Sequence, residues 1–174
     1  PNTHHGLRLM PAFKGYSCGL MVYDLRPASR GTVSLNSANP LDPPRIDPNF
    51  CAISDDVARL VSGIKLAKNI LTQVPLAPHI GGIITPSLQV QTDEQLAAFV
   101  RDRAEVAYHP CGTCKMGVDD MAVVDLALKV RGITALRVAD LSITPTLVGG
   151  NTNATATMIG ERAADMILTA AKQM

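Results

Sequence analysis

Tyr108-His109-Pro110-Cys111-Gly112-Thr113-Cys114-Lys115-Met116-Gly117 and Val148-Gly149-Gly150-Asn151-Thr152-Asn153 are two Gly/Thr-rich turns, and the strand-like run between them ends at Asp140. Glycine in such turns lets backbone approach a flat ligand closely, while an imidazole and a carboxamide offer a base and a hydrogen-bond donor. The stretch from Tyr108 to Asp165 therefore has the chemistry of an active site rather than of packing alone. Pro110 fixes the chain just after the imidazole of His109, so the ring is held instead of swinging in solvent.

Each turn also has a plainer reading. Cys111-Gly112-Thr113-Cys114 is a C-x-x-C, which suggests a zinc site or a redox dithiol. A structural zinc needs four ligands, however, and His109 with two cysteines supplies three, with no second Cys or His pair at knuckle spacing. The thioredoxin-type strand-to-helix context is missing as well, and paired cysteines also serve as small buried hydrophobes. Asn151, Thr152 and Asn153 could simply cap the helix that follows. The same free N–H groups and positive helix end would equally face a polar ligand edge.

Working outward, residues 7 to 13 and 18 to 26 read as strands, and Thr32-Val33-Ser34-Leu35-Asn36 alternates as a half-buried strand does; together these predict a meander. Pro40-Leu41-Asp42-Pro43-Pro44-Arg45-Ile46-Asp47-Pro48 is expected to run as extended loop, because each proline removes a ladder donor. Ser54 is a candidate N-cap, with Asp55 and Asp56 in the first turn. Val57, Leu60, Val61, Ile64, Ala67 and Leu71 then predict a helix over about 55 to 73. Thr92-Asp93-Glu94-Gln95 is a capping box heading a helix to about Glu105. Ala122 to Asp125 and Ile133 to Asp140 are strand candidates. From Asn153 an Ala-rich amphipathic helix closes the chain, with Met158, Ile159, Ala163, Met166 and Ile167 on one side.

The 174 residues suffice for one ordinary core or for parts of two smaller lobes. A net charge of +1, with no basic block and no interleaved aromatics, argues against nucleic acid as a partner. No apolar run approaches the roughly 18 to 20 residues of a membrane helix. Pro1-Asn2-Thr3-His4-His5 carries neither a signal-peptide apolar stretch nor an initiator Met, so the expectation is a piece cut from a longer soluble protein. Cys18, Cys51, Cys111 and Cys114 are too few and too dispersed for a disulfide-built fold, which points to a reducing cytosol.

Several motifs in order carry a family resemblance. Tyr108-His109-Pro110-x-Gly112-Thr113-Cys114-Lys115-Met116-Gly117 is followed by Leu136-Arg137-Val138-Ala139-Asp140-x-Ser142-Ile143-x-Pro145, then by Gly150-Asn151-x-Asn153-Ala154 and Met158-Ile159-Gly160-Glu161-x-Ala163-Ala164-Asp165. Together these closely resemble the C-terminal signature of the glucose-methanol-choline (GMC) flavoprotein oxidoreductases. Arg26-Pro27-x-Ser29-Arg30-Gly31-Thr32-Val33 and Asp42-Pro43-Pro44-x-Ile46-Asp47-Pro48 resemble that family's substrate-domain strands and proline loop. The resemblance covers nearly the whole chain and is nearest to the choline dehydrogenase and aliphatic alcohol dehydrogenase branch.

The resemblance implies an α+β architecture. Residues 1–105 would form an antiparallel-sheet substrate-binding domain with flanking helices. Residues 106–174 would bring the catalytic loop and the C-terminal strand and helix elements of an FAD-binding α/β domain. No G-x-G-x-x-G occurs among the 13 glycines, so the Rossmann part, and most of the grip on FAD, would come from the N-terminal part of the same enzyme.

It also implies FAD, covalent or non-covalent, and oxidation of a primary alcohol to an aldehyde with hydride passing to flavin N5. In that scheme His109 takes the hydroxyl proton or stabilises the alkoxide. Asn151, an amide that cannot take a proton at neutral pH, orients the oxygen and shares its developing charge. Asp140, with backbone at Leu141, corresponds to the flavin contact near the ribityl and pyrophosphate; Asn151 and Thr152 correspond to backbone contacts at the pyrimidine end. The location implied is cytoplasmic and bacterial in type, free or peripheral to a membrane. Two competing expectations stand beside it, an inactive binding or structural fragment and a Cys-x-x-Cys metal or redox module.

Overall fold

The computed structural model describes residues 16–172. Their elements run in the order β1 (Thr32–Ser34), β2 (Arg45–Asp47), α1 (Ser54–Leu71), α2 (Asp93–Arg103) and α3 (Asn153–Ala171), with short 3₁₀ turns at Ala77–His79 and Leu141–Ile143. The result is a small antiparallel sheet with three α-helices. The described chain divides into two compact units that interleave in sequence: residues 16–24, 28–31 and 48–107 form one, and residues 25–27, 32–47 and 108–172 form the other.

In the first unit α1 and α2 bury Val57, Val61, Leu96 and Val100, with Leu60, Ile64, Val90 and Ala97 packed around them. The apolar spacing of α1 anticipated this face. Asp55 and Asp56 at its start and Lys68 at its end complement the helix dipole. Ser54 is not the cap, however: Ile53 holds that position without a side-chain cap, and Ser54 is the first helical residue. The acid of the first turn reaches outward instead. Asp56, 3% exposed, accepts from the N–H groups of Ala28 and Ser29, both at 2.8 Å, from the Ser29 hydroxyl and from Arg59. Ser29 Oγ in turn accepts from Ile53 N–H at 3.1 Å, so the segment 28–29 is clamped to the head of α1. The capping box of α2 forms as its spacing predicted: Gln95 N–H donates to Thr92 Oγ1 at 3.2 Å, and Thr92 N–H donates to Gln95 Oε1 at 3.1 Å. Lys68 Nζ donates to Val90 O at 3.0 Å and ties the end of α1 to the approach to α2.

Among the described residues the expected meander is not present. Residues 7 to 13 lie outside the described residues, and 18 to 26 contain no strand. Val22 instead packs on α1 at Gly63, where a side chain would collide with it. In the second unit β1 pairs antiparallel with β2, joining Thr32 to Asp47, Val33 to Ile46 and Ser34 to Arg45. The proline-rich stretch, expected to be wholly loop, thus supplies a strand. Pro43, Pro44 and Pro48 flank it, but Arg45, Ile46 and Asp47 keep their N–H donors, which is enough for a three-residue ladder.

The rest of the second unit folds around Val124, Leu128, Ile143, Ile159 and Ala163, with Met116, Val123, Val130, Val138, Leu141 and Met166 against them. The strands expected at 122–125 and 133–140 reduce to isolated bridges, Met116 with Val124, Val124 with Val130 and Lys129 with Arg137. Tight turns interrupt them. Leu128 and Ala135 adopt φ of 64° and 59° and Gly132 a φ of 76°, all in the left-handed region that ends extended pairing. Asp125 Oδ1 favours the first turn by accepting from Ala127 N–H at 2.8 Å and Lys129 N–H at 2.9 Å. The closing helix forms as α3 over Asn153–Ala171, burying Ile159 and Ala163.

Candidate active site

The His109 loop is stitched to the turn that follows Asp140. Gly112 N–H donates to Leu141 O at 3.3 Å, Cys114 N–H to Ser142 O at 2.9 Å and Met116 N–H to Ile143 O at 2.7 Å. Gly112 has a φ of 86°, and a Cβ there would lie 3.2 Å from Thr144 O, so glycine serves both the turn and the close approach. On the other side of these contacts Ile143 is buried in the core, which anchors the loop to the unit's packed interior.

Asp140 caps the 3₁₀ turn Leu141–Ile143, with Oδ1 accepting from Ser142 N–H at 2.7 Å. Hydrogen bonds from the Ser142 hydroxyl and N–H hold its carboxyl below the usual carboxylate range, against a smaller opposing effect of burial. Asp140, Leu141 and Ser142 line a cleft of about 340 Å³ together with Pro110, Cys111, Thr113 and Ala156. The residue next to His109 and the two residues expected at the flavin thus share one concavity.

His109 Nδ1 lies 2.8 Å from Oγ1 of Thr152. Thr152 is 4% exposed and occupies the N-cap position of α3, yet its hydroxyl makes no cap bond. Its backbone, at φ −90° and ψ −4°, has turned helical rather than extended, so the side chain is not aimed at the N–H groups of the first turn. Sequence reasoning placed Thr152 at the flavin through its backbone and did not anticipate this side-chain contact. The only available signal was a capping residue in the turn that also carries Asn151. Asn151 itself is exposed, and among the described residues no hydrogen bond joins it to His109.

Arg26 opens a motif of the family resemblance, but nothing in the sequence signalled a place beside the Asn151 turn. Its guanidinium packs against the backbone of Gly149, two residues before Asn151. The cysteines at 111 and 114 are free thiols. Among the described residues no three His, Cys, Asp or Glu side chains gather as a metal-binding set, so the zinc reading of the C-x-x-C has no ligand cluster behind it. No helix of the described residues is long and apolar enough to cross a membrane.

Residues 27–160 match the family model described as GMC oxidoreductase. An alcohol dehydrogenase (acceptor) of Pseudomonas putida is 46% identical over 154 residues, covering 88% of this chain and 28% of that protein. An oxygen-dependent choline dehydrogenase of Proteus mirabilis is 47% identical over 146 residues, covering 84% of this chain and 26% of that one. Among solved structures, an FAD-dependent oxidoreductase from Chaetomium thermophilum aligns with a TM-score of 0.80 at 34% identity, over 85% of this chain and 26% of its own. A fungal aryl-alcohol oxidase aligns with a TM-score of 0.75 at 34% identity, over 83% and 24%. The chain therefore spans only about a quarter of the length of the relatives it matches.

Proposed function

The chain belongs to the GMC oxidoreductase family, and from that premise we propose that it is the C-terminal catalytic portion of a cytoplasmic FAD-dependent enzyme that oxidises a primary alcohol to an aldehyde. In this reading residues 1–105 belong to the substrate-binding domain, and residues 106–174 carry the catalytic loop and the return into the flavin domain. The supporting observation is the pairing of a held imidazole with an adjoining cleft: His109 is tied to Thr152, and Pro110 and Cys111 share that cleft with Asp140 and Leu141.

The residues present fit one edge of a flavin. Pro110, Cys111, Leu141 and Ala156 offer apolar wall, while the Asp140 carboxylate can accept from ribityl hydroxyls and Ser142 and Thr113 offer hydroxyls. Backbone near Asn151 and Thr152, at the positive end of α3, suits the pyrimidine carbonyls. The remaining grip belongs to the N-terminal part of the enzyme. A bound FAD supplies the acceptor for the hydride.

This chain's residues handle the proton. His109 takes it from the substrate hydroxyl as the C–H bond breaks, and Asn151, exposed beside the helix start, donates to the oxygen as negative charge grows on it. Such a base contributes typically about 10²- to 10⁴-fold. An amide that only donates is expected to contribute less.

The test is the limiting rate of flavin reduction in the full-length enzyme, measured by stopped flow with choline and with straight-chain primary alcohols. His109→Ala should lower it by at least about 10²-fold, and Asn151→Ala by a smaller factor. Wild-type rates in His109→Ala would defeat the assignment, and equal losses in the two variants would defeat the division of labour.

A further inference from the structure

We propose that Thr152 is a positioning residue whose hydroxyl accepts the Nδ1–H of His109, fixing the plane and tautomer of the ring and leaving Nε2 as the nitrogen that receives the substrate proton. The inference rests on the reading of His109 as the base and assigns the Thr152 side chain a role distinct from the backbone flavin contact considered for it.

A threonine at an N-cap ordinarily uses its hydroxyl to accept from the N–H groups of the first helical turn. Thr152 does not: it makes no cap bond, and its Oγ1 lies 2.8 Å from His109 Nδ1. A buried hydroxyl needs a partner, and among the described side-chain hydrogen bonds the imidazole is the one it has.

A neutral imidazole carries one donor and one acceptor nitrogen, and the partner of one fixes the state of the other. Nδ1 and Oγ1 can share a proton in either direction, and it is the role of Nε2 as base that requires Nδ1 to donate and Oγ1 to accept, which leaves the lone pair on Nε2. Once Nε2 is protonated both nitrogens are donors, and Oγ1 still accepts from Nδ1 without moving. One geometry thus serves the ring before and after proton transfer, so nothing need reorganise during the step.

The experiment uses the full-length enzyme with Thr152→Val, which keeps the shape and removes the hydroxyl, and Thr152→Ser, which keeps the hydroxyl. Thr152→Val should lower the limiting rate of flavin reduction by about tenfold with KM within about twofold, and Thr152→Ser should stay within about twofold in both. Ring-¹⁵N spectra of the histidine-labelled wild type, with His109 identified by its loss in His109→Gln, should show the Nδ1–H tautomer. An Nε2–H tautomer in the wild type would overturn the proposal. So would an unimpaired Thr152→Val in an enzyme that His109→Ala disables. If His109→Ala itself reduces flavin normally, the reading of the site fails instead, and the tautomer spectrum still reports on the contact.

Discussion

The guanidinium of Arg26 lies across the backbone of Gly149, so that a Cβ on that glycine would stand 2.9 Å from Nη2, 3.1 Å from Nε and 3.3 Å from Cζ. The motif that opens with Arg26 and the turn that carries Asn151 are thereby in direct contact within one unit. A side chain at position 149 can enter only by moving the arginine, and the end of a long side chain moves cheaply. Gly149→Ala is expected to cost less than about 1 kcal/mol in urea unfolding. A loss as large as a core truncation would show that Arg26 is locked in place.

Gly63 presents the opposite case. A Cβ there would fall 2.3 Å from Val22 Cγ1, and a β-branched side chain has little freedom to retreat. Alanine in the middle of α1 gains about 1 kcal/mol of helix propensity, but overpacking costs about 1 to 3 kcal/mol. Gly63→Ala alone should therefore destabilise, whereas Val22→Ala with Gly63→Ala should recover part or all of the loss. Strict additivity in this double-mutant cycle would contradict the packing.

Asp56 ties the start of α1 to Ala28 and Ser29. Burial pushes its carboxyl up, but the Ser29 hydroxyl, the N–H groups of Ala28 and Ser29 and the Arg59 guanidinium together more than offset this and hold it below the usual carboxylate range. A group depressed on folding stabilises above its unfolded pKa and loses that contribution as pH falls through the folded value. Asp56→Asn, which keeps the shape without the charge, should be less stable than wild type by about 2 to 4 kcal/mol at neutral pH. The gap should narrow below about pH 4, and guanidinium unfolding across that range measures it. A gap that does not change with pH would separate the stability from the charge.

The capping box of α2 is exposed and local. Thr92→Ala should cost about 1 kcal/mol, and Gln95→Ala added to it should cost less than it does alone, because the two side chains act as one reciprocal unit. Chemical denaturation of the two single variants and the double variant checks this.

What could be read in the sequence follows the range of the interactions involved. The apolar spacing of α1 and α3 and the Thr92/Gln95 pair are decided within a turn or two of chain, and all formed where they were expected. The β-branched and apolar residues of 133–140 suit a strand, but the left-handed turns at Leu128, Gly132 and Ala135 break the pairing. Arg45 to Asp47 form a strand inside a proline-rich loop, since prolines on either side do not remove the donors between them. Ser54 lost the cap because the turn before it is set by Ser29 and Asp56, residues far apart along the chain.

The order of motifs from Arg26 to Asp165 was sufficient by itself to mark the family, and the chemistry of an imidazole and an amide in glycine-rich turns marked His109 and Asn151 as candidates. Only the folded chain decided which neighbour each side chain would have: Thr152 for the imidazole, Arg26 for Gly149, and Pro110, Asp140 and Leu141 around one cleft. Helix periodicity and capping depend on residues a few positions apart, so they are written locally. A hydrogen bond between positions 109 and 152 depends on the packing of everything between them, and no local pattern encodes that.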